Sequence, residues 1–334
     1  MPFAKIIFLL APIPTPPPPA KAAPSNLRLR LIYGVIGAVG LLGCVWFGPV
    51  TFGLFFAATQ AVMLKEFYRI MRACGYKPAA WIGIIASIIV FATIHLTAGN
   101  WYYSQLFNWT NNSTIYPQLS ESQPAVLLPS GLWLLQAGST FFLWLIAGAL
   151  LAVVLVLNEI LRWPNNGQPF INIGATLGGI FYVSLSMSLL NILPFTQANG
   201  YDYRRVFCLL FLIWASDIGA YAAGKTWGKH KLAPNISPAK TWEGWAGGAL
   251  LTLIIAWVLG SFIPDLSLTH RLVAAGVVAI FGPLGDLAES MLKRSAGVKD
   301  SGTFLPGHGG LLDRFDAFLL VLPVLALLQL LAGQ

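Results

Sequence analysis

Apolar residues in this chain come in long unbroken runs rather than in alternation. The runs cover about residues 31–47, 50–68, 79–96, 132–157, 170–193, 206–224, 244–263, 272 onward and 315–331. A helix of about 20 apolar residues crosses the hydrocarbon core of a bilayer. Inside that core every backbone N–H and C=O must find a partner, which an α-helix supplies from within itself. A transmembrane barrel would show short alternating segments instead. The pattern therefore predicts an all-α fold: a polytopic membrane protein of about nine transmembrane helices.

The polar intervals divide the chain further. Residues 1–27 form a proline-rich lead that can complete neither a helix nor a sheet ladder and is expected to be disordered. Residues 28–200 hold the first five spans, with a polar interval at 98–130 that contains no Lys or Arg. Residues 201–334 hold the remaining spans and most of the unusual charge. Gly48-Pro49 reads as a turn, and the Pro- and Gly-rich residues 162–169 as a loop. The segment after the sixth span, Lys225 to Glu243, reads as a polar loop that ends in a capped helix, with Thr241 or Ser237 as the cap.

Composition agrees with the pattern: 57% of residues are hydrophobic and only 10% charged, in 334 residues. The formal net charge of +8 does not mark a nucleic-acid binder, because its distribution follows topology. With the amino terminus in the cytoplasm, all but three of the 20 Lys and Arg residues fall in cytoplasmic segments; Arg204, Arg205 and Arg271 are the exceptions. The same orientation puts the 225–243 and 293–314 loops on one face. The polar site is therefore expected near the cytoplasmic face. The three cysteines lie in or beside apolar runs without CxxC spacing and read as packing residues.

Charge inside an apolar chain is costly and usually functional, and it is concentrated between Asp286 and Asp316. Asp286, Glu289, Ser290, Lys293 and Arg294 fall on one face of a helix. Gly282-Pro283 and Gly285 just before them should bend or loosen that helix. A glycine-rich loop follows, with Lys299, Asp300, His308, Gly309 and Gly310, and then Asp313, Arg314 and Asp316. Upstream, Asp217 sits alone in the sixth apolar run and needs a partner or a metal. Lys240 follows in the next loop, within reach of a phosphate. Hard carboxylates beside cations suit Mg²⁺ and a polyphosphate. No HExxH, P-loop or GxSxG motif stands in a usable place. An ion-coupled transporter would also place Asp217 and Asp286 in the membrane, but it would spread polar residues along several spans.

The run Ser290-Met291-Leu292-Lys293-Arg294, Lys299-Asp300, Phe304-Leu305-Pro306-Gly307-His308-Gly309-Gly310 and Asp313-Arg314-Phe315-Asp316 resembles the carboxy-terminal signature of the phosphatidate cytidylyltransferases, or CDP-diglyceride synthases. The block from Asp217 to Glu243 is similar to the upstream motif of the same family, except that Ala239 stands where the family usually has a lysine. The resemblance is strong over about residues 200–332. It implies transfer of the cytidylyl group of CTP to phosphatidic acid, giving CDP-diacylglycerol and pyrophosphate. It also implies catalytic roles for Asp217, Asp286, Lys293, Arg294, Lys299, Asp300, His308, Asp313 and Arg314. Metal ligation would fall to Asp217, Asp286, Asp300 and Asp313, and substrate binding to Ser237, Lys240, Glu243, Ser290, Gly309, Gly310 and Asp316. The expected ion is Mg²⁺; another divalent ion or an added monovalent ion is compatible with these ligands. The expected partners are CTP, phosphatidic acid and membrane lipid, without nucleic acid, and a homodimer is compatible. The expected location is a bacterial plasma membrane or an internal membrane such as a thylakoid. The alternative among CTP-using lipid enzymes is a polyprenol kinase, against which the full signature argues.

Overall fold

The computed structural model describes residues 27–100, 102–103, 130–164, 167–196, 200–264, 266–304 and 309–331. Each long apolar run becomes a helix: α1 (Leu27–Trp46), α2 (Pro49–Ala73), α3 (Ala80–Ala98) and α4 (Ser130–Leu161). Next comes α5 (Pro169–Gly179), which continues through a π turn (Ile180–Leu185) to a 3₁₀ turn (Leu189–Ile192). The remaining helices are α6 (Tyr203–Trp227), α7 (Trp242–Val258), α8 (Leu268–Ser295) and α9 (Leu312–Leu331). Among the described residues, seven helical segments are long and apolar enough to cross a membrane, so the count of nine spans is not confirmed. The apolar part of α1, Ile32–Trp46, is shorter, and α9 opens with Asp313, Arg314 and Asp316. The chain is a multi-pass, helical membrane protein.

Lipid tails give helices no hydrophobic reason to associate, so close packing and interhelical hydrogen bonds must hold the bundle together. Both are present. Along α2, α3 and α5 a buried polar seam supplies the bonds. Gln60 Nε2 donates to Ser87 Oγ at 2.8 Å, Ser184 Oγ donates to Ser87 Oγ at 2.7 Å, and Tyr68 OH donates to the Thr176 carbonyl at 2.8 Å. Farther along, Asn172 Nδ2 donates to Glu159 Oε2 at 3.2 Å. Close packing dominates the α6–α7 pair. A methyl group on Gly219 would lie 2.7 Å from the Gly247 carbonyl oxygen, and one on Gly248 would lie 2.7 Å from the Ser216 carbonyl oxygen. The two backbones can touch only because these positions lack side chains.

The polar loop between α6 and α7 folds into a hairpin, β3 (Lys231–Ala233) on β4 (Ser237–Thr241), with Lys231 opposite Thr241. A shorter ladder, β1 (Phe195–Thr196) on β2 (Gly200–Tyr201), joins α5 to α6. Thr241 caps α7, its Oγ accepting from the Gly244 amide at 3.1 Å. Of the two residues expected for this role, Thr241 takes it and Ser237 sits within β4.

The sequence leads one to expect that Gly282, Pro283 and Gly285 bend or loosen this helix, and α8 stays helical through all three. The reason is local. Pro283 has no N–H, so the carbonyl four residues back, that of Ala279, loses its helical donor. The Trp245 indole N–H of α7 donates to that carbonyl at 2.8 Å. Gly285 in turn lets α9 approach, since a methyl group there would lie 2.5 Å from the Asp316 carbonyl oxygen. A buried carbonyl left without its donor costs about 1–3 kcal/mol. Trp245→Phe should therefore destabilise the protein by about that amount. In a Pro283→Ala background, where an N–H returns to serve Ala279, the same change should cost much less. Thermal unfolding of the two single variants and the double variant in detergent measures the coupling, and equal losses in both backgrounds would refute it.

Candidate active site

One end of the bundle is built from the last turns of α2, α6 and α8, the β3–β4 hairpin, and the first turns of α7 and α9. A cavity of about 670 Å³ opens there. Its polar lining includes Asp217 and Lys225 from α6, Lys240 from β4, Asp286 from α8, and Asp313, Arg314 and Asp316 from α9. Its apolar lining includes Ile213, Trp214, Tyr221, Leu232, Trp245, Pro283 and Phe318. The glycine contacts of α6 with α7 and of α8 with α9 set the cavity's width. They bring backbones close enough for side chains from four separate segments to face one space.

Lys240 and Asp286 form the central pair. Lys240 Nζ lies 2.8 Å from Asp286 Oδ2 and also donates to the Pro283 carbonyl at 3.2 Å. Asp286 is further oriented by Ser290 Oγ, which donates to its Oδ1 at 3.2 Å. One turn deeper, Glu289 is fully buried and ion-paired with Lys293. Neither Glu289 oxygen has a well-formed hydrogen bond among the described residues. Carboxylate oxygens of Asp286, Glu289 and Asp316 lie within 4.8 Å of one another. Three converging carboxylates, one of them fully buried, are a donor set that suits a hard divalent cation.

Asp313 works differently. Its carboxylate accepts from Lys293 Nζ at 2.7 Å, from Ser301 N and Oγ at 3.1 and 2.9 Å, and from the Gly310 amide at 2.8 Å. It ties the glycine-rich loop to the ends of α8 and α9. Gly309 helps by taking a positive φ of 82°, a turn that side-chain-bearing residues avoid. Asp316 Oδ1 accepts from the Ala317 amide at 2.7 Å.

The structure thus gathers Asp217, Lys240, Asp286, Asp313, Arg314 and Asp316 around one cavity, with Ser290 and Lys293 bonded to its carboxylates. Of the four expected metal ligands, Asp286 alone belongs to the three-carboxylate cluster. Asp217 lines the same cavity, Asp313 is engaged by the loop, and the Asp300 residue is exposed. Arg294 and Lys299 are also exposed and do not line the cavity. Ser237 and Glu243 lie in and beside the hairpin. The Glu243 carboxylate accepts from the Lys229 and His230 amides at 3.1 and 3.2 Å and meets His230 Nδ1 at 2.5 Å, which holds the base of the hairpin closed. His308 lies outside the described residues. Among the charged and aromatic residues of the cavity or cluster that were not expected site residues are Glu289, Tyr221 and Lys225. Glu289 shares the helical face of Asp286, a signal already visible in the sequence. Tyr221 and Lys225 sit one and two turns beyond Asp217, with the Lys225 ammonium 5.6 Å from the Tyr221 ring centre.

Comparison with known proteins bears on this arrangement. The description of the cytidylyltransferase family matches residues 28–331. A phosphatidate cytidylyltransferase of Bacillus subtilis is 32% identical over 303 residues, 90% of this chain and 96% of the relative. Relatives of the same name from Staphylococcus saprophyticus and Staphylococcus haemolyticus are 40% and 48% identical. The first aligns over 54% of this chain and 68% of its own length. The second aligns over 40% and 51% respectively. With both the family match and the Bacillus relative running along nearly all of its length, the chain belongs to the cytidylyltransferase family.

Proposed function

We propose that this protein joins CTP to phosphatidic acid, forming CDP-diacylglycerol and releasing pyrophosphate, and that it does so in the cavity between α6, α7, α8 and α9. The observation that carries the reading is the cavity's double character. Lys240, Arg314 and a set of carboxylates share it with Trp214, Tyr221, Trp245 and Phe318. A reaction between a nucleotide triphosphate and a lipid phosphate needs both a polyanion site and an apolar wall. The names of the relatives point to the same chemistry.

An oxygen of the lipid phosphate attacks the α-phosphorus of CTP. The bond from that phosphorus to the oxygen bridging to the β-phosphorus breaks, and pyrophosphate leaves with the electron pair. Both reactants are anions, so the protein's work is positioning and charge neutralisation. Lys240 is held in place by Asp286 and the Pro283 carbonyl, so its ammonium is oriented before a phosphate arrives. Arg314 offers a planar fork of donors suited to phosphate oxygens. The lipid phosphate is already ionised near neutral pH, and no dedicated base is required. Asp286, Glu289 and Asp316 fit a magnesium ion, with Asp217 beside them. Magnesium bound there would offset phosphate charge and polarise a phosphoryl oxygen. The positive-inside distribution of Lys and Arg supports a cytoplasmic position for this end of the bundle.

Asp286→Asn keeps shape but removes charge from both the Lys240 pair and the carboxylate cluster. Turnover should fall by roughly a hundredfold or more, the scale seen on losing a key electrostatic group. Asp217→Asn should also lower turnover, and the double variant should lose less than the product of the single losses, because both serve one site. CDP-diacylglycerol formation at several Mg²⁺ concentrations is the measurement. An Asp286→Asn enzyme with normal turnover and Mg²⁺ dependence would remove this residue from the site. The orientation makes a separate prediction: reporters fused after residues 235 and 302 should both read cytoplasmic, and an opposite reading at either would break the shared-site assignment.

A further inference from the structure

The glycine-rich loop and the start of α9 are clamped from a distant part of the chain. Glu66, near the end of α2, is buried, with 6% of its surface exposed. Its Oε2 accepts from the Leu312 amide at 2.8 Å and lies 3.3 Å from Ser301 Oγ. Ser301 is itself fully buried and gives its one hydroxyl proton to Asp313 at 2.9 Å. Glu66 thus reaches the first residue of α9 and the residue that holds Asp313. One turn along α2, Arg69 Nη2 donates to the Asp300 carbonyl at 3.1 Å.

The loop is shaped to admit this carboxylate. A methyl group on Gly302 would sit 1.9 Å from Glu66 Oε1, and the next nearest atoms also belong to Glu66. A methyl group on Gly310 would sit 2.4 Å from Glu66 Oε2. Neither glycine has the positive φ that would by itself explain its presence. A buried carboxylate in a membrane helix is costly unless its partners are essential to the fold or to function. Here the partners are the two ends of the segment that delivers Asp313, Arg314 and Asp316 to the cavity.

We infer that Glu66 is a positioning residue for the cytidylyl transfer. It sets the place of α9's first turn, and through it the place of Arg314 and Asp316 in the cavity, while Gly302 and Gly310 are the notch that receives its carboxylate. The inference rests on the reading that Arg314 and its neighbours meet the CTP phosphates. It assigns the amino-terminal half of the chain a part in the site that no charge in the carboxy-terminal signature reveals.

The test uses the purified full chain in lipid. Glu66→Gln keeps the shape but replaces one acceptor oxygen by an NH₂ group, and Gly302→Ala fills the notch. Each should raise KM for CTP by about fivefold or more, since small misplacements near a reacting centre cost up to about a hundredfold. KM for phosphatidic acid should stay within about twofold. A purely structural lesion would reduce the amount of active enzyme and leave both KM values alone. Lys65→Gln, an exposed neighbour, should match the parent. Amide hydrogen exchange of Leu312 should quicken about tenfold in Glu66→Gln, as expected when a buried charged acceptor is weakened. Unchanged KM for CTP in both single variants would overturn the inference. If the parent itself makes no CDP-diacylglycerol, the proposed function fails instead; the Leu312 exchange then decides the clamp alone, and unchanged exchange overturns it.

Discussion

Carboxylates in an apolar bundle cannot rely on water, so each must find a cation, a set of N–H donors or a ligand. The end of the bundle that holds the cavity is organised by that requirement. Lys240 answers Asp286, Lys293 answers Glu289 and Asp313, and backbone amides answer Asp313 and Glu66. Even so, the inner cluster of Asp286, Glu289 and Asp316 holds three carboxylates against the two ammonium groups of Lys240 and Lys293. That unbalanced charge is where a magnesium–nucleotide complex would be most welcome.

The helices make the arrangement possible through missing atoms. Gly219, Gly247 and Gly248 let α6 and α7 touch, and Gly285 lets α8 touch α9. Pro283 removes one N–H from the same region of α8, and Trp245 of α7 serves the carbonyl it frees. Close backbone approach and a repaired helix together hold Asp286 in a fixed place relative to Lys240. The amino-terminal helices are not a passive anchor either. Through Glu66 and Arg69, α2 holds the far side of the loop that carries the signature residues.

Much of this was legible in the sequence. The helices were visible because apolar runs of span length have few other solutions. Asp217 and Asp286 stood out as acids in apolar surroundings, and Lys240 and Arg314 as cations beside them. The division of labour among the acids was not legible. Glu289 and Lys293 share a helical face with Asp286, and spacing alone does not say which acid faces a cation and which faces open space. The bonds that Asp313 makes to the Ser301 and Gly310 amides could not be seen, because those amides come together only once the loop closes. Glu66 was hidden for a different reason. It lies in a charged cluster at the end of a span, and its partner Leu312 is 246 residues away. The bond that serves the Ala279 carbonyl was not legible because its donor, Trp245, comes from another helix.

The central claim is that the cavity joins the α-phosphorus of CTP to a lipid phosphate. The most direct measurement follows the fate of label from CTP when the purified protein is given phosphatidic acid and Mg²⁺. Label at the α-phosphorus should appear in the lipid product, and label at the γ-phosphorus should appear only in pyrophosphate. Transfer of the γ-label to lipid, as a CTP-dependent lipid kinase would give, or no lipid labelling from either position, would contradict the account.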